Sequence, residues 1–217
     1  VSGRNGYEPV KEEAQQIAGE NAGDLSGTAA PGETGSALSF DGEYYPYYAM
    51  LENDMKQLYS QIYANAQALN TVFTPVVTAS VEQVKSVFEA VYNDHPELFW
   101  LETGYSCKYL QSGSCVEITL KYNDTINYLE QARSDFNAAA ERILGGARSL
   151  GSAEEKERYV HDALMQAAEY DINAAMSQSA YSALVRNRSV CAGYARAFQY
   201  LMQQLSVPCY YCTGYAG

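Results

Sequence analysis

The chain is 217 residues long, 47% hydrophobic and 18% charged, with a net charge of −12 at pH 7. That length suits one large domain or two small ones, and the apolar fraction suffices for a packed core. The acidic balance argues against nucleic acid or an anionic membrane surface as partner, because both select Lys/Arg patches, and no apolar run approaches membrane-spanning length.

Residues 1–40 read as a flexible tether. Gly, Ala, Ser, Thr and Glu dominate, and Ala29-Ala30-Pro31-Gly32-Glu33-Thr34-Gly35-Ser36 is its most linker-like part. Few large apolar groups are present there to offset the entropy of ordering. A short helix around Lys11 to Ala18 fits the composition. The chain starts at Val1 without a start Met or a signal-like apolar segment, so any targeting peptide is expected to lie outside it. Such a tether commonly separates an exported domain from its anchor.

Residues 41–124 read as a helical region with a β-hairpin. Leu51, Met55, Leu58, Ile62, Ala66 and Leu69 recur at helical spacing. Ser80 and Gln83 form a capping-box pattern ahead of Val84, Val87, Phe88 and Val91. Pro96 ends that second helix near Asp94-His95, and His95 reads as a helix-end contact. Tyr105–Leu110 and Cys115–Tyr122 have the alternation and β-branched content of two strands about a Ser-Gly turn. The 20 tyrosines fit a surface that touches polymers or glycans, and fit an amphipathic core equally well.

Residues 125–217 carry the chemistry. Leu129, Ala132, Phe136, Ala140 and Ile143 mark a third helix ended by Gly145-Gly146. Ser152 and Glu155 open a fourth, which carries His161 and Asp162. Adjacent helical residues diverge by about 100°, so these two are not expected to act as one catalytic pair. Ser179–Val185 reads as a short helix that brings Tyr181 towards the next loop. There Arg186-Asn187-Arg188-Ser189 leads into Cys191, after which Tyr194, Phe198, Leu201 and Leu205 keep helical spacing. Cys191 is thus placed in a helix's first turn, where unpaired N–H groups and a partial positive charge favour an anionic sulfur. The same N–H groups suit an oxyanion once sulfur attacks a carbonyl. Gly193 is expected to keep that turn narrow for substrate.

Five cysteines leave at least one unpaired unless chains cross-link. Cys107 and Cys115 flank a turn, but a two-residue turn at Ser112-Gly113 would set Leu110, not Cys107, opposite Cys115; their pairing stays open. Cys209 and Cys212 form a C-x-x-C within an expected strand, Pro208–Thr213. Residues three apart on a strand face opposite ways, so neither a bridge nor a shared metal is expected without a bulge, and no metal or cofactor is read from the sequence.

Val190-Cys191-Ala192-Gly193-Tyr194-Ala195, Ala197-Phe198-Gln199-Tyr200-Leu201, Val207-Pro208-Cys209-Tyr210 and Thr213-Gly214-Tyr215-Ala216 resemble the core of the transglutaminase-like superfamily. Glu155-Lys156, His161-Asp162, Tyr170-Asp171 and Ala180-Tyr181-Ser182-Ala183-Leu184 resemble the region ahead of the Cys in bacterial members, and Asp94–Trp100 resembles the leading region of clostridial-type surface members. The resemblance implies an α+β fold with a papain-like core, in which the Cys opens a helix and a strand follows. It implies Cys191 as nucleophile, with the Tyr181 hydroxyl as an added oxyanion or substrate contact. It further implies an extracellular thiol enzyme, a protease, amidase or acyl transferase, acting on peptide or glutamine carboxamide bonds, with cell-wall peptide among the candidate substrates. Family enzymes take a His and then an Asp from strands after the Cys helix. No His follows His161 here, so the triad is expected to need residues after Gly217, and this chain alone is expected to turn over slowly or not at all. The alternative is a non-catalytic surface binding module on the same scaffold.

Overall fold

The computed structural model describes residues 11–17 and 29–214. The chain divides into two compact units, one containing Pro9–Asp94 with Leu101–Asn123, the other His95–Trp100 with Asp124–Gly217. Helices and sheets occur together, as expected for an α+β protein.

In the first unit the described elements are β1 (Lys11–Gln16), α1 (Pro46–Met50), α2 (Asn53–Ala68), β2 (Val72–Phe73), α3 (Val81–Asp94), β3 (Leu101–Tyr109) and β4 (Cys115–Tyr122). The sheet runs β1-β3-β4-β2, with β1 parallel to β3 and the other neighbours antiparallel. The apolar spacing read from the sequence is the buried face: Met55, Leu58, Ile62 and Ala66 of α2 and Val84, Val87, Phe88 and Val91 of α3 form the core. Phe88 stacks on Tyr105 of β3 at 4.5 Å. Ser80 and Gln83 close the expected capping box on α3, the Gln83 N–H donating to Ser80 Oγ and the Ser80 N–H to Gln83 Oε1.

Three expectations change here. Lys11–Gln16 is a strand rather than a helix. A helix of two turns does not hold alone, whereas β3 offers an open edge of backbone donors and acceptors; Tyr105 Oη also donates to Glu12 Oε2 at 3.0 Å. The hairpin turn is longer than two residues. Leu110 N–H donates to Ser114 O, with Gly113 at φ +86°, so Tyr109 rather than Leu110 faces Cys115. Lastly, residues 29–40 within the stretch read as a tether are held in place. Gln61 donates to the carbonyls of Pro31 and Thr74, both at 2.8 Å. Asn65 accepts from the Glu33 N–H and donates to its carbonyl. Phe40 sits among the rings of Tyr45, Tyr48, Tyr59 and Tyr63. Small residues that looked like linker are anchored by two buried amides of α2.

The second unit holds a 3₁₀ turn (Asp124–Tyr128), α4 (Leu129–Ala147), α5 (Ala153–Ala167), β5 (Glu169–Tyr170), α6 (Ala180–Leu184), β6 (Arg188–Ser189) and α7 (Cys191–Gln204). α4 continues through Gly145 and Gly146 instead of ending there. Its neighbour explains why: a Cβ at Gly146 would collide with the Tyr159 hydroxyl of α5, so the glycine allows close helix packing rather than marking a stop. Ser152 and Glu155 cap α5 reciprocally, as the sequence indicates. Residues 208–214 run without regular secondary structure. A strand needs a partner edge for its backbone groups, and among the described residues none pairs with Pro208–Thr213.

Candidate functional site

Cys191 is the first residue of α7, and its side chain is exposed. The N-cap before it is Val190, in extended conformation and with no side-chain cap hydrogen bond. An apolar N-cap supplies no oxygen to the first turn, which leaves N–H groups there for an incoming anion.

A cluster of serines fixes this turn. Ser189 Oγ donates to the Ser177 carbonyl at 2.7 Å and lies 2.7 Å from Ser182 Oγ. Ser182 Oγ reaches the Ser179 carbonyl at 2.8 Å, and the Val190 N–H donates to the Ser177 carbonyl at 3.2 Å. Ser182 and Ser189 are fully buried, so these bonds lie out of competition with water. β5 and β6 pair in parallel beneath them, with Arg188 and Asp171 in a 2.7 Å ion pair. The loop ahead of Cys191 is therefore tied at both ends.

Gly193 serves this cluster and not an approaching substrate. A Cβ there would collide with Ser189 Oγ and stand 2.6 Å and 2.9 Å from the carbonyl oxygens of Ser177 and Ser179. Only a hydrogen at that position lets the Ser177–Ser179 backbone reach α7.

Tyr181 lies on α6, only 4% exposed. Its ring packs on Phe99 at 4.7 Å, and the Arg186 guanidinium lies 5.7 Å from the ring centroid. Burial raises its hydroxyl pKa. Phe99 in turn meets Phe136 of α4 at 5.0 Å. The ring thus braces α6 within an aromatic cluster.

The histidines are both engaged with carboxylates. His95, 1% exposed, places Nδ1 2.7 Å from Glu97 Oε1. His161 Nδ1 lies 3.0 Å from Asp162 Oδ1, both side chains being largely exposed. The two neighbours meet although their positions on the helix diverge. Tyr194 Oη donates to the Ala168 carbonyl at 2.5 Å, fixing the C-terminal end of α5 beside the first turns of α7. His161 is seven residues earlier, about 10 Å down the α5 axis at 1.5 Å per residue.

Tyr194, Ala195 and Phe198 share the face of α7 on which Cys191 lies, by the three- and four-residue spacing of helical neighbours. Together with His161, Leu164, Met165 and residues 209–212 they line a cleft of about 450 Å³. Cys209 and Cys212 both border it, contrary to the opposite faces a strand would impose. Burial first, then Glu157 and Cys212, push the Cys209 thiol up to about 11. Among the described residues no group of three metal-ligating side chains comes together.

The sequence did not single out Arg196. It is 2% exposed, donates to the His95 carbonyl at 3.4 Å and lies over the Tyr211 ring at 5.4 Å. A cation on an otherwise apolar helix face was its only signal. The serine cluster was likewise missed, although four serines within residues 177–189 are visible in the sequence.

Residues 137–217 match the family model of the transglutaminase-like superfamily. The match begins within α4 and takes in α5, the serine cluster and the whole of α7. It is this segment, with Cys191 at its exposed helix start, that is transglutaminase-like. No curated protein matches the chain. Among the described residues no helix is long and apolar enough to cross a membrane.

Proposed function

We propose that the protein is an extracellular thiol enzyme of the transglutaminase-like class. The observation that carries this is the exposed thiol of Cys191 at the uncapped start of α7, inside the segment matching the superfamily. Cys191 Sγ would attack the carbonyl carbon of a peptide or glutamine carboxamide. The negative oxygen so formed would be met by the Cys191 N–H, with the Tyr181 hydroxyl as second donor. The proton given up by the thiol passes to the leaving nitrogen as collapse breaks the C–N bond, and a thioester remains on Cys191. Water then releases an acid and an amine releases an amide, each restoring the thiol. His95 Nδ1 and His161 Nδ1 face Glu97 and Asp162, and among the described residues no hydrogen bond joins either ring to Cys191, so the general base is assigned to neither. The substrate class proposed is protein or peptide, cell-wall peptide included, and the papain-like arrangement of the core belongs to the same proposal.

Ammonia and amine release from glutamine-containing peptides tests it, using the native protein and its Cys191→Ala variant. Release that disappears in the variant supports the proposal. Release that survives the substitution removes Cys191 from the mechanism. The second reading, a binding module, is favoured because among the described residues no histidine is hydrogen-bonded to Cys191; peptide binding unchanged by Cys191→Ala, without release, would select it.

A further inference from the structure

The hairpin of the first unit contains a second pair of cysteines, unrelated to the Cys191 site. Cys107 of β3 is 2% exposed and Cys115 of β4 is 6% exposed. The register explains how they meet. Lys108 faces Glu117 while Tyr109 faces Cys115, so β4 carries one extra residue, Val116, at a bulge. Side chains two apart on a strand share a face, which sets Cys107 on the same face as Tyr109, the direct partner of Cys115. The pair is thus diagonal across the hairpin, within the reach of cross-strand neighbours.

We propose that Cys107 and Cys115 are a disulfide-forming pair that locks this bulged hairpin when the chain folds in an oxidising compartment. Both thiols are free and buried, and each shifts the other: the neighbouring Cys115 lowers the Cys107 pKa, while Cys107 and burial raise that of Cys115. Either sulfur can make the first attack, before folding buries the pair. Where Cys107 attacks first, with oxidised glutathione as the oxidant, its thiolate attacks one glutathione sulfur and expels one glutathione thiolate. Cys115 loses its proton and displaces the second glutathione from the mixed disulfide. The two protein sulfurs give up two electrons, and one glutathione disulfide becomes two thiols. The surrounding packing makes the bond protected: Cys115 N–H donates to the Ala79 carbonyl, and its Sγ lies 3.5 Å from the Glu117 carbonyl.

Lys108 lies between the two cysteines, which gives a direct readout. Trypsin cleaving after Lys85, Lys108 and Lys121 yields Ser86–Lys108 and Tyr109–Lys121, each with one cysteine. The full chain is unfolded under reduction, refolded in a glutathione redox buffer, blocked with iodoacetamide and digested without reductant. The expected result is a single disulfide-linked species of these two peptides, which separates on reduction. The oxidised protein should also melt about 5–10 °C above the reduced form, from the loop-closure contribution of a short disulfide loop. Recovery of the two peptides separately, alkylated or glutathionylated, from a refolded sample with native circular dichroism would overturn the proposal. So would linkage of either peptide mainly to a peptide carrying Cys209 or Cys212.

Discussion

Substituting Gly193 by Ala tests the arrangement that presents Cys191. The added methyl would occupy the place of Ser189 Oγ and press on the Ser177 and Ser179 carbonyls at 2.6 Å and 2.9 Å. Backbone oxygens there cannot swing aside as a side-chain tip would. Overpacking of this kind costs about 1–3 kcal/mol. Displacing Ser189 Oγ breaks its bonds to Ser177 and Ser182, at about 1 kcal/mol for each buried bond lost. Alanine returns about 1 kcal/mol of helix propensity. The net expectation is a loss of about 2–4 kcal/mol, a fall in Tm of roughly 4–16 °C. Gly145→Ala is the matched control: it also lies in a helix, but nothing stands within 4 Å of its Cβ, so it should gain up to about 1 kcal/mol. Thermal melts of the two variants, followed by circular dichroism, read both effects. A Gly193→Ala protein as stable as wild type would refute the claim that this glycine exists for the serine cluster.

Asp94 is fully buried and accepts from the N–H groups of Tyr47 and Tyr48 and from Tyr59 Oη. Asp94→Ala leaves three donors without this acceptor and should cost about 3 kcal/mol, read as an earlier urea midpoint with unchanged slope. Alkaline pH should destabilise the fold. Burial pushes the Cys209 thiol to about 11 and the Tyr200 hydroxyl to about 12, and raises Tyr105 and Tyr122 as well. In the unfolded chain these groups ionise near their ordinary values of about 8.5 and 10. The unfolded state therefore sheds protons first, and stability that is complete below about pH 8.5 is lost as pH rises towards 12. A urea midpoint that stays constant from pH 8 to pH 11 would contradict this assignment. Tyr181→Phe separates the ring from its hydroxyl: the Phe99 contact should keep Tm near wild type, while the Cys191-dependent release proposed for the native protein should fall if the hydroxyl meets the oxyanion.

The periodic elements were legible because their signals are local. Apolar spacing located α2, α3, α4 and α7, and two capping boxes fixed helix starts at Ser80 and Ser152. What misled were residues whose role depends on a distant partner. Gly146 looked like a helix stop but accommodates Tyr159, and Gly193 looked like substrate clearance but accommodates Ser177 and Ser189. The Pro31–Glu33 stretch looked like linker because the amides of Gln61 and Asn65 that hold it lie some 30 residues away in sequence. Lys11–Gln16 had no intrinsic strand pattern and takes its conformation from the edge of β3. At the site, the position of Cys191 followed from the sequence, whereas the serine cluster and Arg196 required the fold.

The claim most in need of a direct test is that folding makes Cys191 a nucleophile. Cys191 and Cys212 are both exposed, so site-resolved alkylation by limiting iodoacetamide compares them within one molecule, native and in urea. Stabilisation of an anion by a helix N-terminus, about 0.3–1 kcal/mol, corresponds to a rate advantage of roughly 2–5-fold for Cys191 in the native protein. That advantage should vanish when α7 is unfolded. Equal native rates at the two cysteines, or an advantage that persists in urea, would contradict the role assigned to the start of α7.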